Sequence, residues 1–466
     1  MSNRSVGAQS AKAVNTNEYG QTQLETGLRT LALTSLGTAA LVTAHHLGRK
    51  QYNPDARLSD YMHGVLDVVQ RKLRQDVSDL PTQSGSDSNE QQLALSKDGL
   101  TADTQAQWVS GVAQLQTSEF AVVGINAQRD MVWQTPMPER VHDIVIQPQA
   151  LQQSVQQVTV MGRRPSQHFW VLDAQTGEVI HSIKSQKDRH FYGHACYSLA
   201  GDRLYVTENN TDDFSGVIGV YDVALGYKKI AEFATHGIGP HELVMHPDGD
   251  TLVIANGGIK TEKASREELN IDSMQPSLVY LNRHNGELIQ QIYPEHNQMS
   301  VRHLAMHEDG TVVIGIQFQG ERHLSVPLVL THKLGQESFT PLQMTDSDTK
   351  GWHRFHHYIA SVAVDSTSNL VCATSPIGGC AALFDLRTGL MLGEVDLPDC
   401  AGAALWSHNS KLDHDSPQFL VSDGKGQLTS IGLPYQQNEQ GELEFGSITV
   451  DKVARDFAFD NHLNTL

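Results

Sequence analysis

Cysteine is scarce in this sequence. Four occur among 466 residues, Cys196, Cys372, Cys380 and Cys400, and none are spaced as CxxC. Each lies in or beside an apolar run, the setting of a buried thiol, so a structural role is expected in preference to a reactive or metal-binding one. Positive charge is in short supply as well: 34 Lys and Arg face 53 Asp and Glu, for a formal net charge of -19. That balance repels a phosphate backbone, and no basic stripe offsets it, which argues against nucleic acid as a partner. No apolar run reaches the roughly 18 to 20 residues that cross a bilayer, so no transmembrane span is expected. Two catalytic signatures are also missing. There is no GxSxG elbow for a nucleophilic serine, and no glycine-rich turn has the strand, GxxxxGK and helix context of a phosphate loop.

What remains is a composition able to bury a real core, 39% hydrophobic with 38 glycines, and a high count of 23 histidines. Neutral imidazole is a common ligand for transition metals, so the placement of those histidines matters.

The first hundred residues read differently from the rest. Residues 1 to 28 are rich in Ser, Asn, Gln and Thr, a tail composition. The segment 29–44 runs from Arg29 through LALTSLGTAALVTA to Val42-Thr43-Ala44, an ending that suits signal peptidase. It is a candidate export signal, although the long polar stretch before it, with Glu18 and Glu25, makes an ordinary amphipathic helix an equal reading of the same segment. Met62, Val65, Val68, Val69 and Leu73 recur at helical spacing and predict a short helix over 61–77. Gln83 to Gln92 reads as linker. Residues 1–100 are therefore expected to be a leader, partly helical or disordered, ahead of a folded domain over 105–466.

From about Gln107 the chain becomes a succession of short β-branched runs cut by Gly, Asp and Asn turns. One series of hairpins repeats. FWVLDAQTGEVIHSI, with Asp173 and Gly177, and AALFDLRTGLMLGEV, with Asp385 and Gly389, share Asp-x-x-Thr-Gly. Weaker copies turn at Asn126, Asp222, Asn282 and Thr331, spaced roughly 47 to 60 residues apart. A second series falls between them, clearest in GHACYSLAGDRLYVTEN from Gly193, PHELVMHPDGDTLVIANGG from Pro240 and RHLAMHEDGTVVIGIQFQG from Arg302. Two hairpins per unit make four strands, and the turns from Asn126 to the one near Pro434 count seven units. The expected fold is all-β, a seven-bladed β-propeller, because radial closure removes the sheet edges that an open stack would expose. The first unit, Trp108 to Pro136, has room for three strands. The C-terminal Asp456 to Leu463 is left over, and is predicted to supply the innermost strand of that first blade.

With strands antiparallel, the start of each innermost strand and the connection between the second and third strands share one face. His142, His194, His241 and His303 stand at innermost-strand starts, and His462 lies on the closing strand. Arg164, Arg189, Glu208, Glu242 and Arg302 are predicted at the same mouth. Three readings of this set stay open: hydrogen bonds that join blades, a transition-metal site for iron, copper or zinc, or a pocket for an anion held by the arginines. His246 and His307 lie beside Asp-Gly turns and read as turn residues, His236 as part of a glycine-rich approach, and His353, His356 and His357 as a rim loop.

Several stretches carry a resemblance: RHFYGHACYS from Arg189, YVTEN from Tyr205, GVIGVYD from Gly216, HGIGPHEL from His236, VIANGGI from Val253, LNIDSMQPSLVYL from Leu269, and VRHLAMHEDG from Val301. Together they resemble the bacterial family catalogued as domain of unknown function 1513, from about Arg140 to the terminal DNHL. The resemblance implies a propeller-like and usually exported protein, often encoded beside imelysin-type proteins of iron acquisition, and implies no reaction. The chain departs from the family in lacking a twin-arginine signal near its first Met. It also departs at Ala195 and Asp143, where Gly or Ser is common, changes expected not to touch the candidate ligands. The leading expectation is a periplasmic binding or scaffold propeller acting with envelope metal-uptake proteins. The alternatives are a lactonase-like hydrolase using the same face, a protein-interaction platform, and a cytoplasmic location.

Overall fold

The repeated turns set the architecture. At Asp173 the carboxylate Oδ1 accepts from the backbone N–H of Gln175 and Thr176 at 2.8 and 3.0 Å, and Gly177 closes the turn with φ +72°. Only glycine adopts that left-handed conformation without strain. Asp385 repeats the arrangement, accepting from Arg387 N–H at 3.0 Å, and Asn282 does so from His284 N–H at 2.9 Å. Each turn ends an apolar strand and starts a more exposed one.

The protein is described from a computed structural model over residues 104–114, 119–148, 155–261, 268–345, 351–406, 417–438 and 443–466. The expectations for residues 1–100, including the signal-like segment 29–44 and the helix over 61–77, lie outside the described residues.

Among the described residues there are seven four-stranded antiparallel sheets and no α-helix. The first blade contains β1 (Trp108–Gln114), β2 (Phe120–Ile125) and β3 (Met131–Met137). The second runs from β4 (Val141–Ile146) through β5 (Gln157–Gly162) and β6 (His168–Asp173) to β7 (Val179–Lys184). The third is β8 (Arg189–Tyr197), β9 (Arg203–Asn210), β10 (Ser215–Asp222) and β11 (Lys228–Ile238). The fourth is β12 (Pro240–Met245), β13 (Thr251–Asn256), β14 (Ser277–Asn282) and β15 (Leu288–Ile292). The fifth is β16 (Met299–Met306), β17 (Thr311–Phe318), β18 (Val329–Lys333) and β19 (Thr340–Pro341). The sixth is β20 (Ser361–Asp365), β21 (Leu370–Ser375), β22 (Cys380–Asp385) and β23 (Leu390–Asp396). The seventh has β24 (Cys400–Leu405), β25 (Phe419–Asp423) and β26 (Gln427–Gly432). A hairpin of β27 (Tyr435–Gln437) and β28 (Leu443–Phe445) follows, and then the outer strand β29 (Thr449–Ala454). The last strand, β30 (Phe457–Thr465), pairs with β1 and completes the first blade from the inside, as the leftover C-terminal run predicted.

The core lies between blades. Leu204 and Val206 of β9 pack with Phe169 and Val171 of the second blade, while Tyr205 between them packs with Leu252 and Ile254 of the fourth. Both faces of a middle strand are therefore buried. That is why these strands read as continuous apolar runs, and each fully buried large side chain contributes about 1.5–3 kcal/mol. The ring closes through Trp108, Phe459 and Leu463 against Ala404, Leu420 and Leu428 of the seventh blade. The Trp108 indole N–H donates to Leu405 O at 2.9 Å across that joint.

All four cysteines are buried free thiols. Burial pushes the Cys380 and Cys400 thiols up to about 12 and carries those of Cys196 and Cys372 higher still. The folded protein is therefore expected to take up no iodoacetamide at pH 8 within an hour, and four equivalents after denaturation. Labelling of the native protein would show that a blade opens.

Candidate functional site

Six of the seven innermost strands are bulged against their neighbours: β4 between Val141 and Ile144, β8 between Phe191 and Ala195, β12 at His241, β16 at Arg302, β24 at Ala401, and β30 opposite Gly111. An extra residue bends a strand and re-aims its side chains. Neighbours in sequence then stop alternating between faces. In this fold the bulges turn imidazoles toward the axis.

Five rings meet there. His194 is central, with ring centroids 4.7 Å from His142, 4.7 Å from His241, 4.8 Å from His462 and 5.9 Å from His303. His142 and His462 are 5.0 Å apart, and His241 and His303 are 4.8 Å apart. The innermost strands of the sixth and seventh blades, SVAVD and CAGAAL, carry mostly small side chains. That leaves room for His303 and His462, from blades that are not neighbours, to approach within 5.3 Å.

Two carboxyl groups orient the cluster. His194 Nδ1–H donates to Asp143 Oδ2 at 3.2 Å, and Asp143 Oδ1 also accepts from Ile144 N–H at 2.8 Å. His303 Nδ1–H donates to Glu242 Oε2 at 3.0 Å, and the same oxygen accepts from Leu304 N–H at 3.2 Å. The far nitrogen of His194, Nε2, is buried without a partner, as are His142 Nδ1, His241 Nδ1 and His462 Nε2. Two groups of three place their ligand atoms within 4.8 Å of one another: His142, His194 and His462, and His194, His241 and His303.

Burial holds the imidazoles of His142, His241, His303 and His462 well below the usual histidine range. Neighbouring imidazoles push all four the same way, as do Arg163 at His142 and His462 and Arg302 at His241 and His303. Burial also pushes the Glu242 carboxyl up to about 8. At Asp143 burial acts upward too, but the charge and hydrogen bond of His194 outweigh it and hold the carboxyl below its ordinary value. The cluster thus gathers four imidazoles held uncharged around His194, which has a carboxylate behind it, an arrangement that suits a transition metal.

Beside it lies a basic rim. Arg302 and Arg163 are both depressed by burial, and Tyr358 and Arg164 act electrostatically on both. The Arg164 guanidinium stacks 4.7 Å over the Tyr192 ring and donates to Thr261 Oγ1 at 3.3 Å.

A family model described as protein of unknown function (DUF1513) matches residues 135–466. The chain belongs to this family. No protein of curated function matches the sequence. Among solved structures, the Kuenenia stuttgartiensis hydrazine synthase is similar at 14% identity, covering 79% of this chain and 99% of its own, with a TM-score of 0.47. A structure of the mitotic checkpoint complex is similar at 12% identity, covering 82% of this chain and 98% of its own, with a TM-score of 0.45.

Within this family member the structure brings His142, His194, His241, His303 and His462 together with Glu242, sets Arg302 in electrostatic range of His241 and His303, and sets Arg164 in range of Arg302. It does not bring Arg189 or Glu208 to the axis. Arg189 grips Glu232 through Nε and Nη2 at 3.1 and 2.8 Å, Lys229 joins Glu232 to Glu208 at 2.7 and 2.8 Å, and Tyr221 O–H donates to Glu208 at 2.8 Å. Both residues are absorbed by this network inside the third blade. A β8 starting at Gly193 and a connection at Glu208-Asn209 would put both at the mouth, whereas β8 begins at Arg189 and reaches His194 only after its bulge, and β9 runs on through Glu208 to Asn210. Asp143 corrects a second expectation, since it does touch a candidate ligand. The bulge in β4 lets adjacent His142 and Asp143 both reach His194, which strict alternation forbids. Sequence reading also passed over Asp460, which accepts from Arg140 Nε and Nη2 at 2.6 and 2.9 Å, and over Tyr358. The signal for Asp460 lay in its place on the predicted closing strand.

His246 accepts from Asp248 N–H at 3.3 Å, and His307 pairs with Asp309 at 2.9 Å, both as turn residues. His236 lies at the end of β11 with φ +55°. In the loop over 351–358, His357 Nε2–H donates to Leu324 O at 2.9 Å.

Proposed function

We propose that this protein is a metal-binding propeller that holds one transition-metal ion on its axis through His142, His194 and His462. The reading rests on one observation: each of these three imidazoles has a buried nitrogen with no hydrogen-bond partner. A buried polar atom left unpaired costs about 1–3 kcal/mol, and several in one place call for a common partner. Coordinating nitrogens around a tetrahedral ion stand roughly 3.4 Å apart, so the present spacing of up to 4.8 Å closes with small movements of the rings. Asp143 fixes the His194 tautomer that leaves Nε2 bare, the usual second partner of a ligating imidazole. Imidazole without thiolate suits iron, copper or zinc. His241 and His303, backed by Glu242, form a second triad that shares His194, so one ion at a time is expected. The iron-linked context that the family resemblance implies agrees with a role as a periplasmic binding or scaffold component beside envelope metal-uptake proteins.

Titration of chelator-treated protein with ferrous, cupric, zinc and cobaltous ions tests this. One of them is expected to bind at one equivalent, with His194→Ala abolishing binding and Asp143→Asn weakening it about 10- to 100-fold while the fold persists. His246→Ala, in an exposed turn, is expected to bind normally. Absence of tight binding by every ion, or equal affinity in Asp143→Asn, would overturn the assignment.

A further inference from the structure

Arg302 differs from three arginines that each grip a carboxylate edge-on. Arg140 holds Asp460 by its Nε and Nη2 edge at 2.6 and 2.9 Å, and Arg189 holds Glu232 by the same edge at 3.1 and 2.8 Å. Arg387 does likewise with Asp385 at 3.0 and 2.9 Å. At Arg302 the corresponding Nε is shielded from water and has no partner. Arg163 is similar: its Nη1 is buried without a hydrogen bond, and its nearest carboxylate oxygen, on Asp460, is 3.9 Å away and already held by Arg140.

These two guanidiniums share surroundings. Arg164 and Tyr358 act electrostatically on both, and Tyr192 on Arg302. Arg302 is the bulged residue of β16, next to His303, and it influences His241 and His303, while Arg163 influences His142 and His462. Two cations with shielded and unsatisfied donors, each in electrostatic range of Arg164, form a site for a negative charge. Asp460 lies 3.9 Å from Arg163 and Glu268 acts electrostatically on Arg302, yet neither satisfies the shielded donors. A buried guanidinium with unmet donors is costly, and its planar Nε and Nη edge matches two coplanar oxygens. A divalent ion on neutral imidazoles would add positive charge to the same place, which strengthens the demand for an anion.

We propose that Arg302, Arg163 and Arg164 form an anion subsite for a small dicarboxylate, one carboxylate bound by the arginines and the other turned to the metal ion on the imidazoles. The second half rests on the metal reading above. The arginine half does not.

Calorimetric titration of succinate, a weak chelator, into full-length protein separates the two. Metal-free protein is expected to bind succinate, and Arg302→Gln to weaken it about 10- to 100-fold, the loss of a charge-assisted bond. Protein loaded with the cobaltous ion is expected to bind succinate more tightly and to shift its visible spectrum on addition. No succinate binding in either state, or equal binding by Arg302→Gln, overturns the subsite. Displacement by equimolar sulfate overturns the assignment to carboxylates. Succinate binding that is the same with and without cobalt and leaves the spectrum still overturns the bridging half alone. Failure of ferrous, cupric, zinc and cobaltous ions alike to bind while succinate binds overturns the metal reading and leaves the arginine subsite standing.

Discussion

A chain ended at Asp456 is expected not to fold. Without β30 the first blade loses its innermost strand, and β1 presents a bare edge to the axis. The side chains of Phe459 and Leu463 leave the joint between first and seventh blades, worth more than about 5 kcal/mol together on the scale of core truncations. That alone approaches the whole stability of an ordinary domain. The loss also strips the carboxylate from Arg140 and removes the acceptor His462 O, 2.9 Å from Ser110 Oγ. Far-ultraviolet circular dichroism and size-exclusion chromatography check this, with aggregated or unfolded material expected. A truncated monomer that melts at the temperature of the full chain would mean that the ring does not need its closing strand.

Acid is the second strong lever. His142, His241, His303 and His462 are held uncharged when folded and titrate normally when unfolded, so below about pH 6.5 the unfolded chain binds more protons. Stability from these groups is complete above that pH and is lost as pH falls. Glu242, raised to about 8 in the folded protein, acts in the opposite sense: it favours the folded state at low pH, and its contribution fades as pH rises through 8. Four histidines outnumber the one carboxyl, so the net effect of these groups is a loss of stability as pH falls below the ordinary histidine range. Asp143, held low by His194, adds to the acid loss only nearer its own range. Arg163 and Arg302, charged throughout, oppose protonation of the imidazoles beside them. The urea midpoint of metal-free protein is expected to drop steeply between pH 7 and pH 5. A midpoint that stays level across that interval would show that the imidazoles are not buried neutral.

The family, the sevenfold repeat and the closing strand were all readable along the chain, because turn chemistry and β-branched runs are local. Asp173 and Gly177 make the same turn wherever they stand, and a leftover strand after seven units has one place to go. The set of axial histidines was readable for a related reason: each lies on an innermost strand, and radial symmetry brings those strands together around one axis. What the sequence could not disclose was orientation. Whether Asp143 faces His194 or turns away depends on a bulge in β4 that exists only against β5, and whether Arg189 reaches the axis depends on Glu232 of β11 holding it. Bulge position and ion-pair choice follow from contacts between strands and blades far apart in the chain. Only the closed ring decides which imidazole nitrogens keep a partner and which are left bare.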